Sequence, residues 1–356
     1  WIRHAGASRE ALRFDDCGMR ESGRFEALRF HQLGEPVDVL QVDCLEAAPL
    51  ADGDVRIKVA AFALNRADWL YTNGWHYSVP KLPSRIGSEC AGTIVAVGAD
   101  VDRSLIGNKV CTVPFDTCEY GVQGAIADIP VEFIAPWPTE LSAEEAAATW
   151  MQYLTAYFAL VGIAGIGSGD FLFVPAASSS AGLAAIQMAK LRGATVIAGT
   201  RSPSKVDPLR AAGADHIVLT AETAALAETL QTLSGGAGVR VVFDPIGGDF
   251  MQHYDGALSR NAQIILFGLL SGEQTRLNLV PLVRANAVIH PYSMFNHVTD
   301  ASALTSAVAF VEGAVKQGLR PVIDQVFGWS EALDAYQRLD SQAQIGKIIV
   351  SMEHGK

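Results

Sequence analysis

The chain has 356 residues, of which 49% are hydrophobic, and carries a formal net charge of −11. This length suits two domains with a core each, and the acidic balance excludes nucleic acid and anionic membranes as main partners, since both attract basic surfaces. The five cysteines form an odd set without a C-x-x-C pair, which favours reduced thiols and a cytoplasmic protein. We expect no membrane span and no signal core, because the apolar runs are short.

The first half of the chain predicts a β-rich domain followed by a helix. Residues 1–23 are polar and without hydrophobic periodicity, so we interpret them as an N-terminal extension, with a disordered arm as the alternative. From Arg24 to about Val131, short β-branched segments alternate with Gly, Pro and Asp turns, which predicts a compact barrel. A long alanine-rich helix is then predicted from the N-cap Ser142 to about Gly162.

The second half predicts a nucleotide-binding architecture. Strands alternate with helices between Asp170 and Phe295, which is typical of right-handed βαβ units in a parallel sheet covered on both faces. A helix near Ala303–Lys316 and the strand "KIIVSM" return to the smaller domain. The predicted fold class is therefore α/β, with a doubly wound Rossmann sheet nested inside the barrel domain. The predicted boundaries are 24–149 and 296–356 for the barrel domain and 150–295 for the Rossmann domain.

A serine-rich turn joins the first strand of this sheet to a helix, in the stretch "FVPAASSSAGLAAIQMAK". Ala177, Ser179 and Gly182 stand at the three glycine positions of G-x-G-x-x-G, where small residues let a pyrophosphate approach a helix N-terminus. The alternative is a serine-capped helix behind a buried strand. The candidate cofactor contacts here are Ser178, Ser179, Ser180, Ala181 and Gly182.

The end of the second strand indicates which dinucleotide would bind. Thr200, Arg201 and Ser202 close this strand, and Lys205 follows in the next turn. An NAD site usually has an acidic residue here for the ribose 2′-hydroxyl, whereas cations suit a 2′-phosphate. These four residues therefore predict NADPH as the cofactor. The alternative is that both cations are solvated on the surface.

Six segments in chain order resemble the medium-chain dehydrogenase/reductases, and in particular their zinc-free quinone oxidoreductase (zeta-crystallin-like) branch. They are "ALNRADWLYTNGWHY", "LPSRIGSECAGTIVAVG", "WMQYLTAYFAL", "AASSSAGLAAIQMAK", "VVFDPIGG" and "QIGKIIV". The resemblance implies a GroES-like barrel, a Rossmann domain that binds NADPH, and an active site in the cleft between them. It also implies a small-molecule quinone or enone substrate and a homodimer joined through the edge strand near Val288.

The serine-rich loop resembles a subset of relatives often labelled zinc-dependent, so metal ligands need separate consideration. A catalytic zinc requires thiolate or imidazole ligands and one open position. Zinc-using relatives have a cysteine where this chain has Asn65, and G-H-E where it has "GSE" at 87–89. Cys90, Cys111 and His76 remain as an alternative set. We expect no metal; a zinc alcohol dehydrogenase and a non-catalytic, crystallin-like NADPH-binding protein are the rival functions.

The candidate catalytic residues follow from the charge that the reaction creates. Hydride addition to an enone or quinone builds negative charge on a carbonyl oxygen, which hydrogen-bond donors stabilise. By resemblance, Asn65, Asp68 and Tyr77 line the cleft. Tyr77 is the preferred proton donor, because a phenol is protonated at neutral pH. His76 is its rival, aromatic packing is the alternative role for Tyr77, and Asn65 is either a ribose or nicotinamide contact or a turn residue.

The remaining candidate cofactor contacts lie mostly at strand ends, where parallel sheets bind ligands. Thr155 resembles a family threonine that faces the nicotinamide, and otherwise bonds to its own helix. Asp244 ends the fourth strand and otherwise serves ordinary turn chemistry. Lys347, on the returning strand, approaches the cofactor phosphate or is solvated. The residues that follow the fifth strand complete the set: Phe267, Gly268 and Leu269.

Overall fold

The computed structural model describes residues 23–115 and 120–353. The barrel domain begins with β1 (Arg24–Phe30), α1 (Pro36–Val39), β2 (Leu40–Glu46), β3 (Asp54–Leu64), α2 (Arg66–Thr72), β4 (Ser84–Arg85), β5 (Cys90–Val97), β6 (Lys109–Thr112), β7 (Ile126–Pro130) and β8 (Ile134–Pro136). Helices α3 (Ala143–Ala147) and α4 (Trp150–Ala156) follow, and α4 continues into a π-helix at Tyr157–Ile163.

The nucleotide-binding domain alternates strands and helices, as predicted. Its elements are β9 (Phe171–Val174), α5 (Ser180–Leu191), β10 (Thr195–Thr200), α6 (Val206–Ala211), β11 (His216–Leu219), α7 (Leu226–Leu233), β12 (Val239–Asp244), β13 (Leu258–Leu266), α8 (Leu279–Ala285), β14 (Val288–Pro291), α9 (Phe295–Val298) and α10 (Ala301–Lys316). The chain ends in β15 (Ile323–Gly328), α11 (Ala332–Asp340) and β16 (Lys347–Ser351).

The parallel sheet has the order β11-β10-β9-β12-β13-β14, and each neighbouring pair is parallel. The first strand, β9, is therefore central, and the chain moves outward first to one side and then to the other. Because each strand is covered by helices, β9 and β12 are buried along nearly their whole length. This arrangement confirms the predicted α/β, doubly wound fold. It also brings the serine turn after β9 to the carboxyl edge of the sheet, where ligands bind.

The last strand returns to the barrel beside the third. In the second large sheet β16 lies between β15 and β3, and Ile348 is paired with Leu64 in antiparallel register. This register places the start of β16 next to the end of β3. As a result, Lys347 and Asn65 become neighbours although they are 282 residues apart in the sequence.

The helix predicted from Ser142 begins where expected but does not run unbroken to Gly162. Ser142 Oγ accepts a hydrogen bond from Glu145 N at 3.2 Å, and Glu145 Oε2 accepts one from Ser142 N at 2.9 Å. The helix breaks after α3, where the Thr149 hydroxyl donates to the Glu145 carbonyl at 2.7 Å. Such back-bonding bends helices. The prediction was right about the cap and wrong about continuity.

Helix α10 packs on the nucleotide-binding domain. Its Ala307 and Val311 share a buried cluster with Leu183 and Ile186 of α5, and Gln187 of α5 donates to the Arg320 carbonyl at 3.0 Å. The same buried cluster also contains barrel residues such as Ala61 and Ala91, so the boundary at residue 296 stays a prediction.

Three further predictions from the sequence concern the cysteines, a membrane span and the location of the protein. Cys90 and Cys111 are free, but Cys44 is disulfide-bonded, so the expectation of reduced thiols was wrong for Cys44. None of the helices in 23–115 and 120–353 is both long and apolar enough to span a membrane. Apart from Gly23, the predicted extension 1–23 lies outside the described residues, and a cytoplasmic location stays a prediction.

The start of α5 lies so close to the turn before it that a side chain at Gly182 is expected to destabilise the protein. A Cβ atom on Gly182 would lie 2.6 Å from the Ala177 carbonyl oxygen, whereas one on Gly313 in α10 would meet nothing within 4 Å. We expect Gly182→Ala to lower the free energy of unfolding by about 1–3 kcal/mol through this clash. The control Gly313→Ala should raise it by about 0.5–1 kcal/mol, as helical glycine replacements do. Urea denaturation of both variants checks the prediction, and similar gains from both would contradict it.

Candidate active site

An ion pair between Lys347 and Glu89 lies at the centre of the candidate site. The two charged atoms are 2.9 Å apart, and each side chain is only 1% exposed. The second carboxylate oxygen of Glu89 accepts a hydrogen bond from the backbone N–H of Met151 at 2.8 Å. Glu89 therefore connects three segments: the loop before β5, the first turn of α4 and the start of β16.

Asn65 is bonded to both members of this pair. Its Oδ1 accepts from Lys347 Nζ at 2.6 Å, and its Nδ2 donates to Glu89 Oε2 at 3.3 Å. Asn65 also precedes α2, where its backbone N–H donates to Asp68 Oδ2 at 2.8 Å. The amide is thus held between a cation and an anion, and it is 7% exposed.

Asp68, predicted as catalytic, supports Asn65 from a buried position. The same carboxylate oxygen that binds Asn65 also accepts from Gln123 Nε2 at 3.3 Å, and Gln123 accepts from the Tyr336 hydroxyl at 2.8 Å. Burial raises the pKa of Asp68 to about 7, while the Asn65 hydrogen bond and the Lys347 charge oppose that rise. Asp68 is 3% exposed, so its direct effect is on Asn65.

The side chain of Lys347 is buried, which neither interpretation of the sequence had predicted. Its ammonium group is buried against Glu89 and Asn65, so the solvated alternative was wrong, and an approach to the cofactor phosphate stays a prediction. The neighbouring Gly346 does meet the serine turn: its N–H donates to the Ser178 carbonyl at 3.0 Å, and it forms a β-bridge with Ser179. The dipeptide 346–347 therefore joins the cofactor turn to the buried network.

Tyr77 and His76 form an aromatic wall with Phe295 of the other domain. The ring centroids of Tyr77 and His76 are 4.2 Å apart, and those of Tyr77 and Phe295 are 5.6 Å apart. His76 Nδ1 accepts a hydrogen bond from the Ser78 N–H at 3.1 Å. Tyr77 is 60% exposed, so its ring packs on one side and meets solvent on the other. The aromatic packing is present, and a donor role for the hydroxyl stays a prediction.

Thr155 makes the helix contact that was its alternative role. Its hydroxyl donates to the Met151 carbonyl one turn earlier in α4, and its own carbonyl accepts from the Tyr292 hydroxyl at 2.9 Å. Tyr292 follows β14, so this bond holds α4 against the nucleotide-binding domain. Thr155 is 8% exposed.

The serine turn has the features expected of a pyrophosphate cradle. Ser179 caps α5, with its Oγ accepting from the Gly182 N–H at 3.1 Å. Ala176 has a positive φ of 53°, which turns the chain sharply after β9. Only small side chains stand at the positive end of a twelve-residue helix, from Ser178 through Ser180 and Ala181 to Gly182. The residues present fit an anionic group held by backbone N–H groups.

Two cations stand beside this turn and are bonded to neutral groups. Lys205 Nζ donates to Ser178 Oγ at 3.1 Å and to the carbonyls of Gln342 and Gln344 at 3.1 and 2.9 Å. Arg201 donates to Gln342 Oε1 at 3.0 Å. Burial and the Arg201 charge lower the pKa of Lys205. This concentration of positive charge fits a phosphate.

The residues around these cations add two details. Thr200 is buried, and the Ser202 hydroxyl lies 2.8 Å from that of Ser204. Among the described residues, the buried Oε1 of Gln344 has no hydrogen-bond partner. A buried acceptor of this kind suits a hydroxyl donor such as that of a ribose.

Asp244 makes the turn contacts that were its alternative role, and a cofactor contact stays a prediction. Asp244 is 0% exposed, and burial raises its pKa. Its Oδ1 accepts from the N–H groups of Ile246 and Gly247, and its Oδ2 accepts from the Tyr254 hydroxyl at 2.7 Å. Both oxygens are therefore used to shape the turn after β12, which was the alternative role.

In the segment after β13, two residues pack closely against their neighbours and one is exposed. Phe267 stacks on Phe243 with ring centroids 4.1 Å apart, and Gly268 lies against the Pro245 carbonyl so closely that a side chain would collide with it. Leu269 is 67% exposed. Cofactor contacts by Phe267, Gly268 and Leu269 stay predictions.

The alternative zinc ligands do not form a site. Among the described residues, no group of three or more His, Cys, Asp or Glu side chains is placed to hold a metal. Burial raises the pKa of the Cys90 thiol to about 12 and that of Cys111 well above its usual value. A metal ligand requires the thiolate, which this burial disfavours.

Sequence reasoning missed the partners of Asn65. Glu89 was weighed only as part of an incomplete zinc motif, and Gln123 and Tyr336 were not considered. A signal was present: Glu89 precedes the apolar run "CAGTIVAV", and Lys347 precedes "IIVS". A charge next to a buried strand usually needs a buried partner of opposite charge.

Sequence comparison matches the chain to dehydrogenase domains and to quinone oxidoreductases. Residues 51–155 match the alcohol dehydrogenase GroES-like domain, and residues 181–311 match the family described as zinc-binding dehydrogenase. The chain is 29% identical over 328 residues to Quinone oxidoreductase 1 of Escherichia coli (strain K12), covering 91% of this chain and 98% of that protein. It is 27% identical to Quinone oxidoreductase of Salmonella typhimurium (strain LT2), with the same two coverages.

A solved structure gives the same assignment. The crystal structure of Escherichia coli quinone oxidoreductase complexed with NADPH has a TM-score of 0.82 and 28% identity, covering 92% of this chain and 99% of that one. The chain belongs to the medium-chain dehydrogenase/reductases. Within this family it lies in the quinone oxidoreductase branch, as the sequence resemblance implied.

The raised pKa of Asp68 generates a pH prediction for this family member. Because the pKa is about 7 in the folded chain and 3.8 is the ordinary value, the folded state binds the extra proton between these limits. The contribution of Asp68 to the free energy of unfolding therefore falls as the pH rises from about 4 to about 7, and it stays low at higher pH. Asp68→Asn cannot ionise. We expect the free energy of unfolding of this variant, relative to that of the wild type, to be on the order of 2 kcal/mol higher at pH 8 than at pH 5.

Urea denaturation at both pH values measures this difference. Asp38→Asn is the control, because Asp38 is an exposed carboxylate on α1. A stability difference for Asp68→Asn that did not change with pH would contradict the prediction.

Proposed function

We propose that the protein is an NADPH-dependent, zinc-independent oxidoreductase that reduces quinones or α,β-unsaturated carbonyl compounds. The observation that carries the proposal is the placement of Arg201 and Lys205 beside the serine turn, which is joined through Gly346 to the buried Asn65 network. The residues proposed to bind phosphate are thus connected directly to those proposed to act on the substrate. The NADPH bound to the structurally similar Escherichia coli enzyme supports the choice of cofactor.

Each part of the cofactor has candidate residues in this chain. The turn from Ser178 to Gly182 would hold the pyrophosphate at the α5 N-terminus. Arg201 and Lys205 would pair with the 2′-phosphate, with Thr200 and Ser202 beside them. When bound, the nicotinamide supplies the hydride that the substrate carbon accepts.

The chain's own residues would stabilise the charge that then develops on the substrate oxygen. Asn65 offers an amide donor whose orientation is held by Lys347 and Glu89. Tyr77 offers a hydroxyl next to the wall formed with His76 and Phe295, which would hold a flat ring and exclude water. Tyr77 would also supply the proton that completes reduction of an enone.

Zinc independence rests on the residues at the ligand positions. Asn65 stands where zinc-using relatives have a cysteine, and a buried Lys347 ammonium lies 2.6 Å from its oxygen. A divalent cation at this position would be repelled by that ammonium group. The positive charge of Lys347 therefore opposes metal binding there.

We also propose the homodimer that the resemblance implied. Strand β14 is an edge of the parallel sheet, and α8, which precedes it in the chain, has several exposed apolar side chains. Val283 is 73% exposed, Leu279 66%, Val280 59% and Val288 48%. Pairing of two such edges would bury this surface. The molar mass in solution tests the dimer, and a monomeric mass would contradict it.

The direct test of the function is a screen of NADPH oxidation with quinones, enones and aldehydes. We expect turnover with quinones or enones, and a clear preference for NADPH over NADH. Arg201→Ala should weaken NADPH binding about tenfold to a hundredfold and leave NADH nearly unchanged, because one charge-assisted bond is worth roughly 1.5–3 kcal/mol. Equal losses for both cofactors would contradict the assignment of Arg201. Binding of NADPH without turnover of any substrate would favour the non-catalytic alternative.

A second prediction concerns the proton donor. Tyr77→Phe keeps the aromatic packing and removes only the hydroxyl, so the affinity for NADPH should survive. Enone turnover should fall by roughly a hundred- to a thousandfold, since one such donor contributes about 2.7–4 kcal/mol. Quinone turnover should fall less, because solvent can protonate the reduced oxygen. An enone rate equal to that of wild type would move the role to His76 or Asn65, which His76→Ala would then distinguish.

A further inference from the structure

The buried ion pair fixes which way the Asn65 amide faces. An amide can turn by 180° about its last bond at little cost when its neighbours can donate and accept equally. Here the neighbours cannot do so: Lys347 only donates and meets Oδ1 at 2.6 Å, whereas Glu89 only accepts and meets Nδ2 at 3.3 Å. Turning the amide would place oxygen against a carboxylate and nitrogen against an ammonium group.

The same contacts make the amide a better hydrogen-bond donor. A cation bonded to the amide oxygen draws electron density from the nitrogen, which strengthens its N–H groups as donors. The carboxylate at Nδ2 has the opposite effect, but its contact is 0.7 Å longer than that of the ammonium. The effect of Lys347 therefore dominates. Within the described part of the chain, Nδ2 makes this one bond, so its second hydrogen remains for a ligand.

Stability alone gives a poor account of this arrangement. Removing two charges from water costs about as much as their attraction returns, so buried pairs contribute little net stability. Lys347 and Glu89 do not bond only to each other, because each of them also contacts Asn65. Glu89 further holds the first turn of α4 through Met151.

We infer that Lys347 and Glu89 are positioning residues of the proposed reaction, acting through Asn65. They hold its amide in one orientation and polarise it, so that the second hydrogen of Nδ2 meets the developing charge on the substrate oxygen. This inference rests on the proposed function and names the residues that prepare the donor. Because each side chain is only 1% exposed, neither Lys347 nor Glu89 would touch the substrate.

The test uses the double variant Glu89→Gln/Lys347→Met, which removes both charges and so leaves no single buried ion. We expect its kcat for the best enone or quinone to fall about tenfold to a hundredfold, the effect of one charge-assisted hydrogen bond. The KM for NADPH should change little. In the Asn65→Ala background the same double change should lower kcat no further, because the residue through which it acts is absent.

A general loss of stability would give a different pattern. It would lower kcat by similar factors in both backgrounds, and that result would overturn the inference. The control is Arg56→Met/Asp128→Asn, which removes an ion pair of 2.7 Å between β3 and β7, outside the proposed machinery. This control should leave kcat unchanged.

A second measurement does not depend on activity. Nuclear magnetic resonance of the side-chain amides, with the Asn65 signal assigned through Asn65→Ala, reports the two Nδ2 hydrogens directly. We expect two well-separated resonances with slow solvent exchange in the wild type, and their loss in the Glu89→Gln/Lys347→Met variant. An Asn65 signal unaffected by the double change would overturn the inference even if the enzyme is active. If no quinone or enone is reduced, the proposed function fails, and the amide signal still decides whether the pair fixes Asn65.

Discussion

The buried ion pair between Lys347 and Glu89 is the interaction on which the site depends. It joins the last strand, the loop before β5 and the first turn of α4, segments that are far apart in the sequence. With both side chains 1% exposed, neither charge can be left without the other, since an unpaired buried ion costs several kcal/mol. Asn65 is thereby fixed, and Asp68 and Gln123 complete its support from the barrel.

The serine turn depends on the same strand. Gly346 bonds to Ser178 immediately before Lys347 enters the ion pair, so a shift of β16 would move the serine turn and Asn65 together. Lys205 reinforces this connection, because it bonds to Ser178 and to the carbonyls of Gln342 and Gln344. The edge that we propose binds phosphate is therefore built by both domains. The rings of Tyr77 and Phe295 provide a further contact, with their centroids 5.6 Å apart.

Local patterns in the sequence were sufficient for the fold and for part of the site. Strand–helix alternation predicted the parallel sheet, and the caps at Ser142 and Ser179 follow from their neighbours alone. Long-range contacts were not predictable in this way. The partner of Lys347 depends on the register of β16 against β3, and the role of Asp244 depends on Tyr254 reaching its second oxygen. A side chain's residue type gives its chemistry, but tertiary packing decides whether it faces a ligand or the interior.

The central claim is that a buried Lys–Glu pair, rather than a metal, prepares this cleft for the reaction. The most direct measurement determines metal content and NADPH-dependent turnover on the same purified sample, before and after treatment with a chelator. The account predicts far less than one metal ion per chain and a turnover rate that the chelator does not change. One tightly held zinc ion per chain, with activity lost on its removal and restored on its return, would contradict it.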